Sequence, residues 1–179
     1  MRKLKITELN RITAEEFKYS EKIPLIVVLD DVRSMHNIGS VFRTADAFRV
    51  ACIYLCGITA IPPHPDMHKT ALGAEYTVDW KYVKYTMEAV KELQSLGYLV
   101  YAVEQAEGSV MLDELELDKS KKYAVILGNE VKGVKQEVID QSNGCIEIPQ
   151  YGTKHSLNVS VTAGIVIWDL FNKLKNNVL

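Results

Sequence analysis

The chain has 179 residues, 47% of them hydrophobic and 25% charged, with a formal net charge of −2 at pH 7. That composition supplies one sizeable core and excludes an extended disordered protein, since the charges are spread along the chain and no low-complexity tract interrupts it. It also excludes a broadly basic nucleic-acid binder, because phosphate binding rests on Lys and Arg releasing counterions, so any such surface must be local. The three cysteines (Cys52, Cys56 and Cys145) all lie in apolar surroundings and read as reduced thiols rather than as a disulfide framework. Residues 1–9 are basic and amphipathic without the apolar segment of a secretion signal. No apolar run approaches the ~20 residues of a membrane span, so a soluble, cytoplasmic protein is expected.

In chain order, residues 1–24 are more polar than the rest. Thr13-Ala14-Glu15-Glu16 has the form of a capping box, so a short, partly helical extension is expected before the domain that spans 25–179. Residues 25–29 (LIVVL) read as a strand buried on both faces. Ile38, Val41, Phe42, Ala45 and Phe48 then recur at helical spacing, and 51–55 are again strand-like, closed by Gly57. The stretch 61–65 (IPPHP) predicts an exposed loop, since prolines remove donors and fix φ. A helix over 88–96 stops at Gly97, a strand follows over 98–103, and 123–127 (YAVIL) form a further buried strand. A short helix over 134–140, a strand over 145–148 and a long C-terminal helix complete the pattern, with Leu157, Val161, Gly164, Ile165 and Trp168 marking one face of that helix. Strand alternating with helix predicts an α/β fold, a parallel sheet with helices on both faces.

In such sheets ligands bind outside the carboxyl ends of the strands, so the polar residues after strands are the ones that count. Three segments qualify. In 37–45 (NIGSVFRTA), Gly39 permits a close backbone approach and Arg43, one turn on, offers a planar fork for an anion; an N-cap asparagine with a solvated arginine would look the same. In 128–133 (GNEVKG) two glycines bracket Glu130 in a tight turn after the YAVIL strand, without the Gly-Lys-Ser/Thr of a P-loop or a dinucleotide fingerprint. In 148–160 (IPQYGTKHSLNVS) a glycine loop leads to Ser156, expected as the N-cap of the last helix, and to Asn158, whose amide can hold a polar ligand.

Together and in this order, the three segments resemble the signature motifs of the SpoU-like (TrmH-type) branch of the SPOUT superfamily, the RNA ribose 2′-O-methyltransferases. The resemblance covers 25 to about 170, and Lys69-Thr70-Ala71-Leu72-Gly73-Ala74-Glu75 also looks like the tRNA-type members. It implies a C-terminal deep trefoil knot, which periodicity by itself would not suggest, since knots are nearly absent from proteins. It implies a homodimer whose active sites are completed across the interface, with S-adenosyl-L-methionine as cofactor and RNA as substrate, tRNA favoured and rRNA the alternative. By motif match, Asn37, Arg43, Glu130, Ser156 and Asn158 are the polar active-site residues. Val103, Glu104, Gly128, Asn129, Glu130, Gly133, Ile148 and Leu157 are the cofactor-binding residues. One departure is Gln150, where relatives commonly carry methionine.

Guanidinium, with a pKa above ~12, is a poor base near neutrality, so Arg43 is cast as an electrostatic stabiliser and phosphate anchor. His36 and His155 adjoin motifs and are the alternative bases. Arg2, Lys3, Lys5 and Arg11 are available for phosphates or for a solvated face. Trp80, Tyr82 and Tyr85 either stack on bases or pack on a sheet edge. His64 and His68 flank Asp66 at a spacing that can ligate zinc, but Pro65 argues against a regular helix there, so no metal is expected. The competing class is a non-catalytic RNA-binding protein that keeps the knot; a nucleotide-dependent oxidoreductase fails for want of a fingerprint.

Overall fold

The computed structural model describes residues 1–175; the end of the expected 25–179 domain therefore lies outside the described residues. Helix α1 (Ala14–Tyr19) opens with the capping box read from the sequence: Thr13 Oγ1 accepts from Glu16 N, and Glu16 accepts from Thr13 N. Strand β1 (Ile23–Asp30) leads to α2 (Met35–Ala47), β2 (Val50–Cys56) and α3 (Pro65–Ala71), then β3 (Trp80–Val83), α4 (Thr86–Ser95) and β4 (Tyr98–Val103). The remainder is β5 (Val110–Met111), β6 (Lys122–Leu127), α5 (Gln136–Gln141), β7 (Gly144–Glu147) and α6 (Val159–Leu174). The seven strands form one sheet in the order β3-β2-β1-β6-β4-β7-β5, every neighbouring pair parallel.

The continuous apolar runs have the cause the sequence suggested. Along β1, Leu25, Val27 and Leu29 enter one core with residues of α2, α3 and α6, while Ile26 and Val28 enter a second core with residues of α4 and α5. In β6, Tyr123, Val125 and Leu127 alternate with Ala124 and Ile126 in the same way. Because successive side chains of a strand point to opposite faces, a strand covered on both must be apolar throughout.

Three expectations need correction. The 61–65 loop ends at His64: Pro65 is the first residue of α3, where its missing N–H has no helical partner to lose, and His64 Nδ1 accepts from Asp66 N at 3.2 Å. His68 pairs instead with the buried Glu75, at 2.5 Å, and among the described residues no group of three metal-ligating side chains occurs. Strands β3 and β5 have no counterpart in the sequence pattern: β3 is WKYV, an apolar run broken by Lys81, and β5 has only two residues. The face of α6 marked by Leu157, Val161, Ile165 and Trp168 points away from the sheet, these residues being 38–53% exposed, while Val159, Ala163, Val166, Ile167 and Leu170 are buried. Among the described residues no helix is long and apolar enough to cross a membrane.

Candidate active site

Helix α2 is capped by Ser34, whose hydroxyl accepts from Asn37 N, so Asn37 is the third helical residue and not the cap. That frees its amide. Asn37 Nδ2 donates to Glu130 Oε1 at 3.1 Å, and Asn37 Oδ1 accepts from Asn158 Nδ2 at 3.2 Å. Asn158, not Ser156, caps α6: its Oδ1 accepts from Ser160 N and from the Ser160 hydroxyl. Ser156 lies two residues upstream, exposed in the loop. Three segments far apart in sequence are thus joined by one chain of side-chain hydrogen bonds, Glu130–Asn37–Asn158, at the carboxyl ends of β1, β6 and β7.

Glu130 is held from the other side as well. Its two oxygens accept from Arg33 N and Ser34 N, each at 3.0 Å, so its carboxylate ties the β6–α5 turn to the start of α2. Burial alone would raise its pKa, but the Arg33 and Ser34 N–H donors, with Asn37, outweigh that and hold it below the ordinary carboxylate value. A depressed folded-state pKa contributes stability that is present above the unfolded value of about 4.3 and lost as pH falls through the folded value. Stability measured by urea unfolding should therefore fall with acid in that window. Glu130→Gln should remove this part of the acid dependence and cost about 1 kcal/mol near neutral pH, because an amide N–H₂ would face one of the N–H donors.

Beside this network lies a cavity of about 1150 Å³. All eight residues carried over as cofactor-binding line it: Val103, Glu104, Gly128, Asn129, Glu130, Gly133, Ile148 and Leu157. Ser156, Asn158, His155 and Gln150 line it too. Its glycines have specific causes. A Cβ on Gly128 would fall well inside van der Waals contact with the Gly133 carbonyl carbon and the Val134 nitrogen, so two backbones meet there. Gly133 has φ +66° and sits against the Glu104 carboxylate. Asn129 N and Gly133 N exchange hydrogen bonds with each other's carbonyls, and Asn129 Oδ1 accepts from Val131 N and Lys132 N, closing the turn. Glu104 accepts from Gln105 N and Val134 N, so its carboxylate also fixes the wall.

The remaining sequence candidates fall elsewhere. Arg43 is exposed on α2, outside the cavity wall, its side chain making no hydrogen bond or ion pair among the described residues. Gly39 admits not a ligand but α3: a Cβ there would collide with Thr70 Oγ1 and the Met67 carbonyl, and Thr70 Oγ1 donates to His36 O at 2.9 Å. His36 is exposed and outside the cavity wall, whereas His155, also exposed, is the alternative base that does line the cavity. Arg2 is paired with Glu8, whereas Lys3, Lys5 and Arg11 stay on the exposed surface. Sequence reasoning missed Gln105, whose Nε2 donates to His155 O at 2.7 Å and clasps the 148–158 loop to the end of β4. A lone glutamine after a strand carries no local signal of that.

Comparison with known proteins agrees with this geometry. Residues 24–168 match the model of the SpoU rRNA Methylase family. A tRNA (guanosine(18)-2'-O)-methyltransferase of Thermus thermophilus is 31% identical over 166 residues, covering 91% of this chain and 82% of the relative. A 23S rRNA (guanosine-2'-O-)-methyltransferase of Nitrosomonas europaea is 32% identical over 149 residues, 83% of this chain but 56% of that longer protein. Among solved structures, an AdoMet-bound rRNA methyltransferase from Sinorhizobium meliloti superposes with a TM-score of 0.77 at 27% identity, covering 90% of this chain and 59% of that one. With four-fifths of its length inside the family match and its motif residues gathered around one cavity, the chain belongs to the SpoU methylase family.

Proposed function

We propose that the chain is an S-adenosylmethionine-dependent RNA methyltransferase that methylates a ribose 2′-hydroxyl. The observation that carries this reading is the Glu130–Asn37–Asn158 chain of hydrogen bonds at the edge of a cavity lined by every expected cofactor-binding residue. The cavity suits the cofactor: Leu127, Ile146, Ile148 and Leu157 offer apolar cover for adenine, the 128–133 turn offers main-chain groups for its edge, and Glu104 and Glu147 favour a cationic ligand. At about 1150 Å³ it exceeds the ~300–1,000 Å³ of ordinary ligand pockets, leaving room for a ribose as well.

S-adenosylmethionine supplies an electrophilic methyl carbon. The protein's task is then to align the 2′-oxygen and to favour charge developing on it. Asn158 and Asn37, hydrogen-bonded to each other, present fixed amides, and Ser156, which lines the cavity, is assigned the orienting of the ribose. Glu130 acts as a positioning residue that fixes α2. Arg43 stabilises the developing alkoxide and anchors phosphate, with the proton passing to solvent.

Arg43 stands away from its own cavity, which favours a homodimer in which it serves the partner's site. The apolar stripe of Leu157, Val161, Ile165 and Trp168 supports this, since Phe48, which closes α2, packs on Trp168 with ring centroids 5.3 Å apart. One apolar surface is thus contiguous with the helix bearing Arg43, as an isologous interface would require. A trefoil knot is supported by β7, which lies between β4 and β5 although it follows both in sequence. Glu104, leaving β4, and Leu112, just after β5, both donate backbone N–H groups to β7. Residues 1–24 are taken as an extension attached through Phe17, and the cell compartment as cytoplasm.

Transfer RNA is favoured over ribosomal RNA because segment 69–75 (KTALGAE) resembles the tRNA-type members of the family. A non-catalytic RNA binder that kept the fold is the second reading. Incubation with methyl-labelled cofactor and either bulk tRNA or bulk rRNA tests the reading. Label is expected in tRNA, in alkali-stable dinucleotides, because a methylated 2′-oxygen cannot attack the adjoining phosphodiester. Label released on a free base, or none in either RNA, would overturn it.

A further inference from the structure

A second cavity, of about 350 Å³, opens at the carboxyl ends of β1, β2 and β3. Its walls include Ile58, Tyr82, Tyr85 and Val138, with Lys84, Lys135, Asp31 and Glu137 at the polar positions. Ile58, Tyr82 and Tyr85 are 67%, 46% and 56% exposed, an unusual concentration of bare apolar surface around one small opening. Tyr82 is held in place by donating its hydroxyl to Gly57 O at 3.0 Å, while the exposed Tyr85 ring has the Lys84 ammonium over it.

The charges around it are asymmetric. Asp31 is neutralised by Lys135 at 2.8 Å, whereas the Lys84 ammonium meets no carboxylate among the described residues and sits 5.2 Å from the Tyr85 ring centroid. Glu137 repels a phosphate but can accept from an exocyclic amino group. The opening thus offers aromatic rings, a cation without a carboxylate partner beside them and a carboxylate acceptor in the same lining, a set that fits a nucleotide.

Its position fits too. Segment 132–139 is a shared wall: Val134, Gln136 and Ile139 line the first cavity, and Lys135, Glu137 and Val138 line the second. Only the thickness of one helix, roughly 10 Å, separates them along the same sheet edge.

We propose that the second cavity takes an unstacked base of the RNA substrate, from a nucleotide near the methylated one, with the base against Tyr85 and Tyr82 and its phosphate on Lys84. This rests on the RNA methyltransferase reading above, and it makes the cavity a determinant of which RNA is chosen. The test is binding of fluorescently labelled bulk tRNA, and separately bulk rRNA, to the full chain and its variants, with S-adenosylmethionine affinity and thermal melting as checks on folding. Tyr85→Ala should raise the RNA Kd about tenfold, and Tyr85→Trp should restore it because the stacking face returns. Lys84→Gln should weaken binding and reduce the slope of log K against log salt by about 1. If wild-type protein methylates RNA but neither Tyr85→Ala nor Lys84→Gln changes RNA affinity, the cavity serves something else, such as a protein partner, and the proposal falls. Equal loss in Tyr85→Ala and Tyr85→Trp would also overturn it, as packing rather than stacking. If wild-type protein methylates neither RNA while the variants still weaken binding as described, the subsite stands and the methyl-transfer reading falls.

Discussion

Arg43→Ala is expected to lower methyl transfer to RNA by on the order of 10²–10³-fold, the cost of removing a preorganised group that stabilises developing charge. Folded stability should stay within about 0.5 kcal/mol, because the side chain is exposed and makes no contact that the fold uses. Cofactor affinity, measured by calorimetry, should be unchanged, because Arg43 is outside the cavity wall. Arg43→Lys keeps the charge but loses the planar fork, so it should fall between; nearly full turnover with normal RNA binding would rule out bidentate anchoring. A mixed dimer separates a composite site from a single-chain one. Arg43→Ala and Asn158→Ala chains, co-expressed with different tags and purified on both, contain one site with an intact Asn158 and the partner's intact Arg43. Turnover near half of wild type is expected, while activity no higher than either parent would mean that each chain uses its own arginine.

Gly128→Ala is expected to abolish measurable S-adenosylmethionine binding and to cost about 2–3 kcal/mol of stability in urea unfolding, the scale of forced overpacking. The new methyl group would meet backbone atoms of Gly133 and Val134, which cannot rotate away as a side chain would. Relief requires moving the 128–133 turn, and with it Glu130, which holds the start of α2 through Arg33 N and Ser34 N. Gly152→Ala is the control: it is in the loop that follows β7, nothing lies within 4 Å of its Cβ position, and its stability should stay within about 0.5 kcal/mol of wild type. A Gly128→Ala protein as stable as wild type and still binding the cofactor would show that the turn is looser than its geometry implies.

That the sheet is covered on both faces is legible in the amino-acid sequence alone. LIVVL and YAVIL are apolar at every position because each of their side chains enters one of two cores, and that demand is written locally. The polar residues after those strands are equally legible, and the eight cofactor candidates that their joint resemblance to one family implies all line a single cavity. Local pattern cannot say what those residues touch. Asn37 reaches Glu130 across 93 positions and Asn158 across 121, and only the path of the chain makes them neighbours. For the same reason Ser156 has the sequence context of a cap and is not one, Gly39 admits α3 rather than a ligand, and Gln105 gives no local sign that it clasps the 148–158 loop. The apolar stripe of α6 shows the division most clearly. Its spacing in the sequence declares a helix with an apolar face, but whether that face meets the sheet or is left exposed depends on how the helix is rotated against α2 and β1, which only tertiary packing decides.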